Sequence, residues 1–290
     1  QKYVEIILGL VAILVLAKAL GEICERLGYP SMIGEIIAGI TLGPTLLGFV
    51  RFDDTMALFA DLGIIALLFI SGAEMNLKRF SSARRMSAAT ALGGMALPFL
   101  LGASVALLFS LEPEQIFFMG IVVSVTSIGI AVRTLIEMKK LNTTPGYTIV
   151  GAAIIDDLAG IILLAILSSL MDHQDLLGTL LPMVVGIAFL MILVIFGRDL
   201  VSKLYASTRL SRTHEMPYAV AIILGMSMAV MTQLLGLHYA IGAFVAGLII
   251  GPQLQKNVHL MESLTDFAFG FMATFFFASV GLLMSISVEN

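Results

Sequence analysis

The sequence predicts an all-α polytopic membrane protein, and three observations predict it. First, 59% of its 290 residues belong to the AVILMFWYC set and only 12% are charged, whereas a soluble globular chain is about 45–50% apolar and about 25% charged. Mean hydropathy is +1.04. Second, the apolar residues gather into ten runs, at about 3–20, 29–49, 57–77, 86–110, 115–136, 146–170, 177–197, 216–235, 238–252 and 264–287. Third, short polar joints divide these runs, and basic residues concentrate in every other joint. Helix is the expected state, because lipid offers free backbone groups no partner and barrel strands would be shorter with period-2 alternation. The net charge of −4 leaves no basic surface for nucleic acid. The single cysteine, Cys24, allows neither an internal disulfide nor a cysteine metal cluster.

The first run is not a cleavable signal peptide. It lacks a basic lead and a small-residue exit, and Lys18 and Glu22 follow its apolar stretch. Gln1 is not an initiator Met, so a processed or engineered start is expected. Lys18 is expected to snorkel toward the nearer interface. With odd-numbered runs directed inward, the inner joints hold Arg26, Lys78, Arg79, Arg84, Arg85, Lys139, Lys140, Arg198, Lys203, Arg209, Arg212 and Lys256. The outer side holds only Lys2 and Arg51, and its later joints are acidic: Glu112, Glu114, Asp172 and Asp175. This asymmetry predicts an amino terminus outside the membrane.

The second and ninth runs resemble each other. Residues 27–44 read LGYPSMIGEIIAGITLGP and residues 235–252 read LGLHYAIGAFVAGLIIGP. Eight of 18 positions match without a gap, among them Gly28/Gly236, Gly34/Gly242, Gly39/Gly247, Gly43/Gly251 and Pro44/Pro252. Apolar composition alone seldom aligns four glycines and a proline. The offset of 208 (236 minus 28) also pairs Phe69 with Phe277 and Ser71 with Ser279. The first copy runs outward and the second inward, the pattern of an inverted-topology repeat in secondary transporters. The predicted organisation is one membrane transporter domain over 1–290. It has a first repeat at about 1–172, a connecting helix at about 175–200 and a partial second repeat at about 212–290. The second repeat is incomplete, so the chain is expected to be part of a longer or split membrane domain. Remaining helices of the full-length protein, or a second subunit, would complete it.

Chemistry concentrates in the fifth and sixth runs. Asp156 and Asp157 stand in YTIVGAAIIDDLAGIILLAIL with ten or more mostly apolar residues on each side, near the bilayer midplane. A charged side chain there costs about 2.5–3.5 kcal/mol on insertion scales, so two adjacent acids need a reason. A helix break at an interface, or a protonated pair serving as packing glue, are the structural alternatives. An ion or proton site is favoured. Burial and mutual repulsion disfavour the doubly ionised pair, whereas a bound cation favours it. Protons and cations then compete for the same oxygens, and the pair titrates as a unit. The preceding run centres on SVTSIGIAV, with Ser124, Thr126, Ser127 and Gly129. A discontinuous helix is expected near 124–129, with freed carbonyls and hydroxyls suited to a hard cation.

Glu74, Arg133 and Glu137 fall near the inner ends of their runs, as a gate, a structural ion-pair network or ordinary snorkelling residues. Glu35 in the first repeat copy is replaced by Ala243 in the second. Gln233 is expected to bond another helix, and His238 to be structural at a tight joint.

These residues resemble the monovalent cation:proton antiporter superfamily, especially its second branch of bacterial sodium/proton and potassium/proton exchangers. The likeness runs through GYPSMIGEIIAGITLGP, LGIIALLFISGAE at 62–74, SVTSIGIAVRTLIEM at 124–138, IIDDLAGIILLA at 154–165, GLHYAIGAFVAGLIIGP and FFFASVGL at 275–282. The resemblance implies an elevator-type antiporter of the inner (plasma) membrane, exchanging Na+ or K+ for H+ without a cofactor. A homodimer in membrane lipid is implied. Asp157 matches the main carrier of the monovalent cation and the proton. Asp156 matches its neighbour, which in Asp-Asp members pairs with a lysine on a later helix. Thr126 and Ser127 match the unwound part of a crossing helix. A gated potassium-efflux channel on the same scaffold, or an inactive fragment of an antiporter, are the alternatives. An aspartyl protease fits poorly, because it needs acids converging from different helices.

Overall fold

Hydrogen bonding closed within each segment is the solution that lipid allows, and helices are the form it takes among the described residues. A computed structural model describes residues 2–172, 176–207, 213 and 215–284, and no strand occurs among them. The helices are α1 (Lys2–Arg26), α2 (Ser31–Leu42), α3 (Asp54–Glu74), α4 (Leu77–Ser82), α5 (Arg84–Leu108), α6 (Pro113–Ser124), α7 (Ile128–Glu137) and α8 (Thr144–Asp172). They continue as α9 (Leu176–Ile192), α10 (Arg198–Ser207), α11 (Met216–Leu234), α12 (Tyr239–Leu254), α13 (Val258–Phe267) and α14 (Ala273–Leu283). Five-residue π-helical turns, Leu193–Gly197 and Ala268–Met272, join α9 to α10 and α13 to α14. Eight segments are long and apolar enough to span a membrane, and α2 and α12 are shorter apolar helices. Each of the ten expected runs thus contains helix among the described residues.

Their ends are set by local chemistry. Glu112 and Gln115 form a capping box ahead of Pro113 at the first helical position of α6. The Asn76 side chain accepts from the Lys78 and Arg79 amides at 3.1 and 3.2 Å, starting α4. This short helix is not among the expected elements. Four boundaries also differ from expectation. The first run stays helical to Arg26 rather than stopping near 20. The second run stops at Leu42 rather than 49, because Gly43-Pro44 ends the helix and Gly48 turns at φ 59°. The seventh continues helically past 197 to Ser207, and the tenth begins six residues early, at Val258, capped by Asn257. Arg209, Arg212, Asp175 and the predicted tail of the last run at 285–287 lie outside the described residues.

Two compact units emerge, one from residues 1–70 with 256–290 and one from 71–255. In the first, α2 packs on α1 and α14. Its core joins Ile13, Leu42, Val50, Met56, Phe275, Ala278 and Leu282, with the Phe59 ring 4.9 Å from that of Phe275. In the second, α5 packs on α6 and α8, and α11 on α12. Glycine supplies the close approach: at Gly102 an added Cβ would lie 3.0 Å from the Met119 carbonyl oxygen on α6.

The offset of 208 recurs in local geometry. Gly28 and Gly236 turn the chain at φ 84° and 76°, in the left-handed region that favours glycine. α2 and α12 begin three residues later, at Ser31 and Tyr239. A Cβ on Gly34 would collide with the backbone of Leu20, and one on Gly242 with that of Met228. Leu20 and Met228 are themselves 208 apart. Within the first unit, a Cβ on Gly281 would meet Ile36 and Ile40. Within the second, one on Gly72 would meet the offset partners of those residues, Phe244 and Leu248. Here the register is one residue out, since Gly72 corresponds to Val280.

Candidate functional site

α6 ends at Ser124 and α7 begins at Ile128, leaving 125–127 without helical structure. Val125 and Ser127 are both extended, at ψ 131° and 111°. β-branched Val125 and Thr126 fit extended backbone readily. The break frees the last carbonyls of α6 and the first amides of α7, and puts opposed helix ends in one place. Ser124 bonds back to the Ile121 carbonyl at 2.8 Å and is buried, whereas Thr126 and Ser127 are exposed. The break therefore presents hydroxyls and carbonyls where an unbroken helix would present only side chains.

α8 packs against both halves of the broken helix. At Gly160 an added Cβ would stand 2.9 Å from Cγ2 of Val125, so glycine lets α8 approach the break itself. One turn earlier lie the acids. Asp156 is 4% exposed, and the Thr126 side chain lies beside its carboxylate. Its Oδ1 is buried with no hydrogen-bond partner among the described residues. Asp157 is half-buried. Two neighbouring acids point about 100° apart around the helix. Asp156 thus engages the break while Asp157 presents to another side. A buried carboxylate oxygen without a donor is costly as an anion. A proton or a cation would satisfy it.

The other expected site residues separate into two places. Arg133 is 8% exposed, and its Nε donates to Glu137 Oε1 at 2.6 Å, one turn along α7. It is a buried ion pair rather than a snorkelling side chain. Glu74 is half-buried at the end of α3 and joins no ion pair among the described residues, so the three do not form one network. Neutral groups hold the chain around it. Gln255 Nε2 donates to the Ala73 carbonyl at 2.6 Å, the Asn76 amide donates to the Tyr147 hydroxyl at 3.4 Å, and that hydroxyl donates to Asn142 Oδ1 at 3.0 Å.

Lys18 does not snorkel freely. Its Nζ donates to Glu35 Oε1 and to the Phe269 carbonyl, each at 3.0 Å, and Thr274 Oγ1 donates to the same Glu35 oxygen at 3.1 Å. Phe269 lies in the π-helical turn, where the widened ladder changes which carbonyls are free. Sequence reasoning left Glu35 without a partner. The signal was present: the Gly28 turn makes α1 and α2 adjacent, which puts Lys18 within a long side chain's reach of Glu35. His238 caps α12, accepting from the Ala240 amide at 3.3 Å, as a structural residue would.

A polytopic bundle of apolar helices, with acids at the centre of one helix and a break in its neighbour, defines a membrane transporter rather than an enzyme. Residues 10–290 match the family described as sodium/hydrogen exchanger, transmembrane, and the chain belongs to that family. It is 33% identical over 273 residues to the probable Na(+)/H(+) antiporter GerT of Bacillus cereus, covering 94% of this chain and 72% of that protein. It is 32% identical to the Na(+)/H(+)-K(+) antiporter GerN of the same organism, covering 93% of this chain and 69% of that one. Among solved structures, the sodium proton antiporter MjNhaP1 from Methanocaldococcus jannaschii superposes with a TM-score of 0.59. That match has 15% identity and covers 98% of this chain and 72% of that one, and it bears on the fold alone.

Proposed function

We propose that this chain exchanges a monovalent cation, Na+ or K+, for protons across the inner membrane, with Asp157 and Asp156 as the shared binding groups. One observation carries the reading: a buried acid on α8 engages Thr126 in the helix break and retains an unsatisfied oxygen. Asp157 is the principal carrier. Asp156 and Thr126 orient the site, and Ser127 and the freed carbonyls of α6 supply further oxygen ligands. An acid shut away from water stays charged only while a cation or a donor compensates it. Cation and proton therefore exclude one another, and each drives release of the other. Alternation between the two sides proceeds by an elevator-type movement in a homodimer, with the amino terminus outside. The 208-residue offset supports reading α2 and α12 as corresponding parts of inverted repeats. Family membership and the names of GerT and GerN support the ion class.

Proteoliposomes carrying the longest native form of the protein and a pH-sensitive dye test this. Adding Na+ or K+ should drive proton movement, and the apparent KM for the cation should rise as pH falls, because protons occupy the same oxygens. Cation flux with no proton movement would replace exchange with a gated efflux pathway. A KM independent of pH would remove the shared site.

A further inference from the structure

A second feature of α8 lies on its other side. A cavity of about 400 Å³ opens within the unit formed by 71–255, walled by α4 and α5, α8, the π-bulged end of α9, and α12. Its α8 wall is Gly151, Ile154, Ile155 and Leu158. At about 100° per residue these share one face, with Asp156 roughly 150° and Asp157 roughly 110° from its centre. Neither acid lines the cavity, so it is not the ion route. Every polar lining group sits on the α4–α5 edge: Ser81, Arg84 and Ser87. The remaining lining is apolar, and α12 contributes four residues, Ile241, Phe244, Val245 and Leu248, along about 10 Å of helix. Met191 and Ile195 are 58% and 68% exposed at its rim, so the cavity opens sideways into whatever surrounds the bundle. In this protein that surrounding is lipid.

Charge selects the occupant. Residues 78–85 read KRFSSARR, four cations in eight residues with no acid among them. None of Lys78, Arg79, Arg84 or Arg85 forms an ion pair among the described residues. Ser87 is buried, and a Cβ on Gly151 would collide with its hydroxyl, so glycine is what lets Ser87 stand at the cavity wall. An apolar slot of this size with a cationic, hydroxyl-bearing edge matches one amphiphile: a hydrocarbon tail ending in an anionic headgroup. Basic pockets between membrane helices take such headgroups. We propose that this cavity binds one anionic phospholipid, its phosphate on Arg84 with Ser81 and Ser87, and one acyl chain between α8, α9 and α12. A lipid there would rest on the back of the helix that carries the acids.

Native mass spectrometry of the delipidated full chain tests this, using phosphatidylglycerol and phosphatidylcholine of matched acyl chains. The wild type should retain one phosphatidylglycerol in preference to phosphatidylcholine. Arg84→Gln should weaken phosphatidylglycerol retention about fivefold, the weight of one basic residue near an anionic headgroup, and leave phosphatidylcholine unchanged. Met191→Trp at the exposed rim should reduce both. Ile195→Trp, also exposed, is the second rim variant should the first fail to fold. A photoreactive phosphatidylglycerol should label peptides spanning 151–158 and 241–248. Equal retention of both lipids by the wild type, or unchanged retention in Arg84→Gln and both rim variants, overturns the proposal. Chain-to-chain cross-links from Met191 that exclude lipid would assign the cavity to a second copy and overturn it equally.

Discussion

Glu35 and Asp156 are both carboxyls buried in apolar helices, at 1% and 4% exposure, and each keeps one oxygen without a hydrogen-bond partner. They differ in what compensates the charge. Glu35 faces a lysine ammonium at 3.0 Å and a threonine hydroxyl. Asp156 has the Thr126 side chain beside it and, one residue along, a second acid. The first arrangement closes on itself: the cation is built in, and the three groups tie α1, α2 and α14 together. The second is open: among the described residues no basic group pairs with Asp156, and in the proposed function a mobile ion or a proton supplies the missing charge. A buried acid with a resident cation reads as structure, and a buried acid without one reads as function.

The largest effect that would break this contrast is at the open site. Asp157→Asn should abolish proton-coupled cation flux in proteoliposomes while the protein still elutes and melts as the wild type does. Asp156→Asn should cripple flux or change the number of charges moved per cycle, read as its dependence on membrane potential. Normal exchange by folded Asp157→Asn would end the assignment.

At the closed site the expected loss is of stability. Lys18→Ala leaves Glu35 buried without its cation. Breaking a fully buried pair costs about 3–5 kcal/mol. Lys18 is 43% exposed, so a smaller penalty, about 2–3 kcal/mol, is expected after allowing for screening. Thermal unfolding in detergent should show it, and Lys18→Leu with Glu35→Leu should recover most of it. A double variant no more stable than Lys18→Ala would deny that the charge pair matters as a unit.

A smaller effect tests the helix contacts. Gly281→Ala sets a methyl against the backbone of Ile36 and should lower stability by about 1–2 kcal/mol. That is the upper part of the overpacking range, about 2–3 kcal/mol because the methyl meets rigid backbone, less the roughly 1 kcal/mol that alanine gains over glycine in a helix. Gly72→Ala, against Phe244 and Leu248, should cost a similar amount, and a large difference between the two would separate the corresponding contacts. The smallest expected change is Thr126→Val, which keeps shape and removes one hydroxyl donor. It should shift apparent cation affinity by up to about tenfold, the weight of one hydrogen bond, without abolishing flux.

Much of the fold was legible because lipid reduces the problem to length and hydropathy. Each of the ten apolar runs contains helix among the described residues, and SVTSIGIAV broke at 125–127 because hydroxyls and β-branched residues there tolerate extended backbone. Boundaries set by turns were less legible. Gly43-Pro44 cut α2 short, while the joint after 197 stayed helical because a polar helix needs no apolar run to continue. Arg133 was ambiguous for a similar reason. A cation near a span's end can reach water or a neighbour, and only side-chain packing chose Glu137.

By itself, the sequence determined that the chain is helical, belongs in a bilayer, and carries two adjacent acids where charge is expensive. Those facts depend on residue type and spacing, which are local. The tertiary structure alone decided that Lys18 closes on Glu35 from another helix, that Thr126 meets Asp156, and that the opposite face of α8 borders a cavity edged by Arg84. Each depends on which helices become neighbours and how closely their glycines let them approach, and spacing along one chain does not encode that distance.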